Sequence, residues 1–206
     1  MRRRHAAAAT LVWCAPAWPV QAGRNARVAH GSGAQNKAYG RGGDVVVAAR
    51  SIAEEHALDS EWVEATLAQA RYVPNVAQLI MPGATPAARN WGLYRARFVE
   101  ERRIDAGARW WRDNDAWLDR AEERFGVPAE IVVGIVGVET YYGRNTGGFR
   151  VLDALATLSF DFPSGRSNRS GFFRSELGQF LKLAQREGWD ATAVLGSYAG
   201  AMGLPQ

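Results

Sequence analysis

Eight apolar residues in a row, Ile131–Val138, lie between Pro128 and Gly143 and run straight into an acid, Glu139. Their β-branching suggests a buried strand, but the flanks favour a helix. Proline fits the first helical turn, Glu130 suits its positive N-terminal end, and glycine follows the last turn. Gly134 and Gly137 keep one side of this helix small, so another backbone or a ligand can come close.

Helical spacing recurs from Asp44 onward. Asp44 is placed to cap a helix carrying Val45, Val46, Ala49, Ile52 and Ala53, and Asp59 or Ser60 a second with Trp62, Val63 and Leu67. Val73–Pro86 holds three prolines and a glycine and reads as loop. Further helices are expected over Asn90–Glu100, over Asp105–Phe125 with Gly126 as its stop, and near Val151–Ser159 and Ser170–Glu187. No strand-and-turn rhythm or repeat period appears, so the expected fold class is all-α. The tryptophans fall mostly at helical spacing and read as core.

The first 43 residues differ from the rest. They contain seven of the 25 basic residues and no acid, which leaves 18 basic residues against all 21 acidic ones from Asp44 onward. The overall charge of +4 therefore belongs to the N-terminal extension, and the body is mildly acidic. That removes the main electrostatic argument for nucleic-acid binding. Residues 1–22 have the basic, apolar and small-residue order of a secretory signal, with cleavage expected after Ala22. Cys14 raises a lipid-anchor option, which Trp13 before it fits badly. Residues 23–43, rich in Gly, Ala, Asn and Arg, read as a flexible linker.

Glu139 is the sharpest candidate for chemistry. Burial at the end of an apolar helix would favour the protonated carboxyl, as would the partial negative charge of a helix C-terminus. Both make a general acid; the alternative is an acid at a helix end that reaches water. Tyr141 and Tyr142 follow it and suit sugar faces. A second cluster, Gly196–Gly203, sets Ser197 among glycines where an extended ligand could lie close to the backbone; it can equally be a turn between helices. With one cysteine and with His5, His30 and His56 as the only histidines, a disulfide framework, a His-based triad and a His or Cys metal site are unsupported. His56 is expected on an exposed helix face. No cofactor or metal is expected.

Three motifs then occur in order: Gly137-Val138-Glu139-Thr140-Tyr141-Tyr142-Gly143, Leu152-Asp153-Ala154-Leu155-Ala156-Thr157-Leu158, and Gly196–Gln206. Together they resemble the membrane-bound lytic murein transglycosylase B family, over roughly Asp44 to Gln206. The resemblance implies a lysozyme-like, mainly helical catalytic domain that cleaves the MurNAc–GlcNAc β-1,4 bond of peptidoglycan and leaves a 1,6-anhydro end. It implies Glu139 as the single catalytic acid and base. It implies Ser197, Gln206 and Tyr94 as glycan contacts, with Tyr198 and Met202 in the same motif. Arg166 and Arg169 fall where the family can carry basic residues facing the stem peptide, although Ser164–Arg169 does not align cleanly. The implied partner is the peptidoglycan strand, without nucleic acid, for a monomer exported to the periplasm, soluble or associated with the outer membrane. Because the family continues beyond the position of Gln206, residues 44–206 are expected to be the N-terminal part of a C-terminally truncated catalytic domain. A non-catalytic glycan-binding remnant and a muramidase-type hydrolase remain alternative readings.

Overall fold

The computed structural model describes residues 37–81 and 90–205; Gln206 and the expected signal segment lie outside them. Nine helices form among the described residues: α1 (Gly43–His56), α2 (Ser60–Leu67), α3 (Pro74–Leu79), α4 (Trp91–Phe98), α5 (Glu101–Asp113), α6 (Asp115–Phe125), α7 (Ala129–Thr140), α8 (Val151–Phe160) and α9 (Ser170–Glu187). The expected helical class holds, with one addition. Phe149–Arg150 (β1) and Leu195–Gly196 (β2) pair as a two-residue antiparallel ribbon, too short to leave a periodic signal.

Local chemistry explains several element ends. The Asp59 carboxylate accepts from the Trp62 amide (2.6 Å) and starts α2. Asn90 does the same for α4 through Leu93 N–H (3.1 Å). Gly126 ends α6 at φ +67, in the left-handed region that favours glycine. Several expectations fail locally. Asp44 does not cap α1, because the helix starts before it at Gly43 and no side chain caps that end. Val73–Pro86 is not all loop, because Pro74 stands in the first turn of α3, where its missing N–H costs nothing. Asp105–Phe125 is not one helix. It breaks at Asn114, whose backbone leaves helical geometry and whose side-chain amide donates to the Trp110 carbonyl (2.8 Å).

The core forms two clusters. The larger joins α1, α2, α3, α8 and α9, with Leu67, Leu152, Leu158, Leu177 and Leu181 fully enclosed. Helix α8 is buried on every side from Val151 to Ser159. Its polar residues Asp153 and Thr157 therefore need internal partners, and the strand-like segment after α2 supplies them. Asp153 accepts from Arg71 N–H (2.9 Å) and Thr157 from Val73 N–H (3.0 Å). Four residues of helix rise about 6 Å and two extended residues span about 6.6 Å, so the pairs fall into register. The smaller cluster packs Leu118, Ala129 and Val133 of α6 and α7 against Trp110 and Trp111 of α5. The Glu122 carboxylate accepts from Ala129 N–H (3.2 Å) at the start of α7.

His56 is a further correction. It is buried, and a Cβ at Gly178 of α9 would run into its ring Nε2 and lie 2.6 Å from Cδ2, so its place is the α1–α9 contact rather than an exposed face. The docked body also begins before the expected linker ends. Tyr39 donates its N–H to Ala70 O (2.9 Å) and its hydroxyl to Asp161 Oδ2 (2.5 Å), while its ring meets Phe160. Burial and the Asp161 carboxylate push the Tyr39 phenol well above its ordinary pKa.

Burial raises the Asp153 pKa, opposed by its bond from Arg71 N–H and by Arg150 at 3.3 Å. The folded chain thus holds this proton more tightly than the unfolded chain. The resulting stability is complete below the ordinary carboxylate range and is lost as pH rises through the raised value. Asp153→Asn keeps an acceptor for Arg71 and is expected to remove that pH dependence. Asp153→Ala orphans the Arg71 N–H and is expected to cost about 1–3 kcal/mol at neutral pH. Urea unfolding across pH 4 to 8 checks both; equal stability of the alanine variant and the parent would contradict the pairing.

Candidate functional site

Helix α7 delivers Glu139 to its last turn, and an unusual backbone follows. Tyr141, Tyr142 and Gly143 all have positive φ, at +51, +58 and +79. Two consecutive non-glycine residues in the left-handed region are strained, so surrounding packing must hold them. The Tyr142 ring supplies that packing. It enters between α5 and α7 where two glycines make room: a Cβ at Gly137 would lie 2.6 Å from the Tyr142 hydroxyl, and one at Gly107 would lie 2.8 Å from Cζ. Burial pushes the Tyr142 phenol above its ordinary pKa, with Arg103 pulling the other way. The small side of α7 is thus filled by the chain's own tyrosine, while Gly134 faces open space.

Glu139 itself is exposed. Of the two readings of its position, burial and an acid that reaches water, the second holds among the described residues. The apolar run faces two ways: Val133, Val136 and Gly137 are buried, whereas Ile131 (51% exposed), Ile135 and Val138 remain open. The exposed positions recur at helical spacing with Glu139, so the acid ends an open apolar stripe.

The three sequence motifs meet in space. The segment after α7 packs on the glycine-rich turn through backbone. At Gly147 (φ +85), a Cβ would run into the Gly196 carbonyl and lie 2.5 Å from the Ser197 amide. Gly143 touches Leu204. The same turn rests on α8, with Gly200 against Leu155 and Gly196 against Val151. Ser197 organises the turn rather than standing free. Its Oγ accepts from the Ala199 and Ala201 amides (3.2 and 3.1 Å), which leaves its hydroxyl proton to donate. Tyr198 is exposed beside it, and Met202 is half-buried against the larger core.

Tyr94 lies on α4, which buries none of its side chains. It stacks on Trp91 (5.7 Å between centroids) and leans on Phe98 (4.8 Å). Trp91, expected as core, is 70% exposed because nothing among the described residues covers this face of α4. Arg166 donates to the Ile80 carbonyl and so ties its loop to the end of α3. Arg169 lies over the Phe172 ring (4.4 Å). Arg169, Phe172, Glu176 and Gln179 line an open groove of about 460 Å³ with Gly200 and Met202. The sequence reading missed the last three α9 residues. Their signal was Phe172, a large aromatic beside the buried stripe that Phe173 belongs to.

The transglycosylase SLT domain family matches residues 43–206. The membrane-bound lytic murein transglycosylase B of Escherichia coli K12 is 38% identical over 163 residues, covering 75% of this chain and 44% of that protein. The crystal structure of soluble lytic transglycosylase SltB1 from Pseudomonas aeruginosa superposes with a TM-score of 0.72 at 40% identity, covering 79% of this chain and 53% of that one. SltB3 from the same organism, solved in complex with NAG-NAM-pentapeptide, gives a TM-score of 0.66 at 28% identity, covering 78% and 41%. The chain therefore spans about half the length of the relatives it matches.

Gly147→Ala forces a Cβ into the Gly196 carbonyl at a positive φ. It is expected to lower stability by about 2 kcal/mol or more. Thermal unfolding measures this, and a change within about 0.5 kcal/mol, the usual range for a surface substitution, would contradict the close packing.

Proposed function

Because the chain belongs to the transglycosylase SLT domain family, we propose that it acts on the glycan strands of peptidoglycan and cleaves the MurNAc–GlcNAc β-1,4 bond by lytic transglycosylation. The meeting of the three motifs carries this reading: an exposed carboxyl at the end of α7 is held by a turn that packs on the Ser197 loop.

One carboxyl suffices for the chemistry. Protonated Glu139 gives its proton to the glycosidic oxygen as the bond to MurNAc C1 breaks. The N-acetyl group supports the positive charge developing at C1. The C6 hydroxyl oxygen then bonds to C1, and the Glu139 carboxylate takes the hydroxyl proton, which restores the acid. Water does not attack, so the second carboxylate of ordinary glycosidases is unnecessary. A glycan laid over Ile135, Val138 and Glu139 excludes water from the cleavage point. The substrate thus supplies the burial that the free chain lacks. The aromatic row Trp91–Tyr94 offers flat faces to sugar rings. Ser197, Tyr198, Met202 and Gln206 would contact the glycan near the cleavage point, and Arg166 and Arg169 the acidic stem peptide.

Residues 1–22 would serve as an export signal, with a tether from there to the docked Lys37, placing a monomer in the periplasm, free or at the outer membrane. Among the described residues, no helix is long and apolar enough to cross a membrane. A second reading, glycan binding without cleavage, is favoured by the open stripe of Ile131, Ile135 and Val138 and the exposed Trp91–Tyr94 pair, surfaces that can hold sugar without chemistry.

Glu139→Gln keeps shape and removes the transferable proton. It is expected to fold and bind sacculi like the parent while product release falls by about a hundredfold or more. Pelleting with sacculi and soluble muropeptide counts measure the two quantities. Equal release by variant and parent would remove Glu139 from the chemistry, and binding without release by the parent would favour the second reading.

A further inference from the structure

Helix α7 ends with an irregular hydrogen-bond pattern. The N–H groups of Tyr141 and Tyr142 both return to the Val136 carbonyl (3.2 Å for Tyr142), which leaves the next carbonyl, Gly137, to another donor. That donor is Arg103 of α5, whose Nη1 lies 2.5 Å from Gly137 O. A cation on a free carbonyl of the last turn is favoured both by the bond and by the helix dipole.

Two aromatic rings hold the guanidinium as well. Its carbon lies 4.4 Å from the Tyr141 ring centroid and 5.4 Å from that of Phe98. Arg103 Nε is buried without a hydrogen-bond partner among the described residues. An unpartnered buried donor is costly, so the plane is kept in place by its rings and by the Gly137 bond together. Tyr141 is also covered by Arg144, at 5.0 Å. One side chain thus ties three features together: the α7 turn two residues before Glu139, the left-handed Tyr141, and the end of the helix that bears Tyr94.

We infer that Arg103 is a positioning residue for Glu139. It fixes the last turn of α7 through the Gly137 carbonyl and locks that turn to α4 through Tyr141 and Phe98. The inference rests on the reading of Glu139 as the acid. Lysine is not equivalent, because an ammonium can reach the carbonyl but has no plane to stack.

The test uses the full chain with Arg103→Met, which keeps an apolar stem, and Arg103→Lys, which restores only the donor. Amide hydrogen exchange of residues 138–143 is read beside that of α8 and α9. In the methionine variant, exchange of 138–143 is expected to quicken roughly ten- to a hundredfold while α8 and α9 keep the parent rates; lysine falls between. In muropeptide release, kcat is expected to drop about tenfold or more with KM within about twofold, the mark of a misplaced reacting group. Unchanged protection of 138–143, equal loss across α8 and α9, or an unchanged kcat despite a loosened turn would each overturn the assignment. Failure of the functional reading looks different. The parent then matches Glu139→Gln in product release, while the exchange comparison still reports whether Arg103 holds the turn.

Discussion

Helix α8 has almost no solvent face, and the rest of the larger core is arranged around that fact. Nine of its ten residues are buried. A helix buried on all sides must satisfy every polar group internally. Asp153 and Thr157 do so by taking the backbone N–H groups of Arg71 and Val73, which fixes the connection between α2 and α3. The helix's ends fix more. Phe160 and Asp161 hold Tyr39, and Val151 receives the Gly196 turn. The glycine-rich segment is therefore positioned by α8 before any ligand is considered.

Helix α7 belongs to the other cluster, and the segment after it packs on this turn. Its orientation is set by close approach rather than by hydrogen bonds alone. Gly107 and Gly137 admit the Tyr142 ring, and Gly147 admits the Gly196 carbonyl. Each contact needs a missing side chain, so each is sensitive to a single methyl group. The strained left-handed pair Tyr141–Tyr142 is the cost of turning the chain sharply enough to make both contacts. Glu139 sits where these demands meet, on a short, over-determined turn with its carboxyl open. A backbone held by packing with an open carboxyl suits the proposed acid, because the geometry is set before substrate arrives.

Sequence alone displayed the local parts of this arrangement. A helix is expected near Ser170–Glu187, and α9 forms there, ending at Gly188. The Asp59 cap and the Gly126 stop were equally visible, because their chemistry involves neighbours a few residues away. What was hidden depends on distant partners. His56 looked exposed because its own helix offers acids beside it, yet Gly178, far along the chain, makes its pocket. Gly137 was visible as a gap, but not that Tyr142 fills it. Trp91 looked like core by spacing, and the apolar run before Glu139 allowed either burial or water. Both are open because burial is a property of what packs across, not of the pattern itself.

The site's central claim is that Glu139 shuttles one proton and that the substrate's own C6 hydroxyl closes onto C1. Mass spectrometry of muropeptides released from purified sacculi tests it most directly. The account predicts products ending in 1,6-anhydro muramic acid, each lighter by one water than its reducing counterpart. Products with reducing ends would mean that water attacks instead and would contradict it.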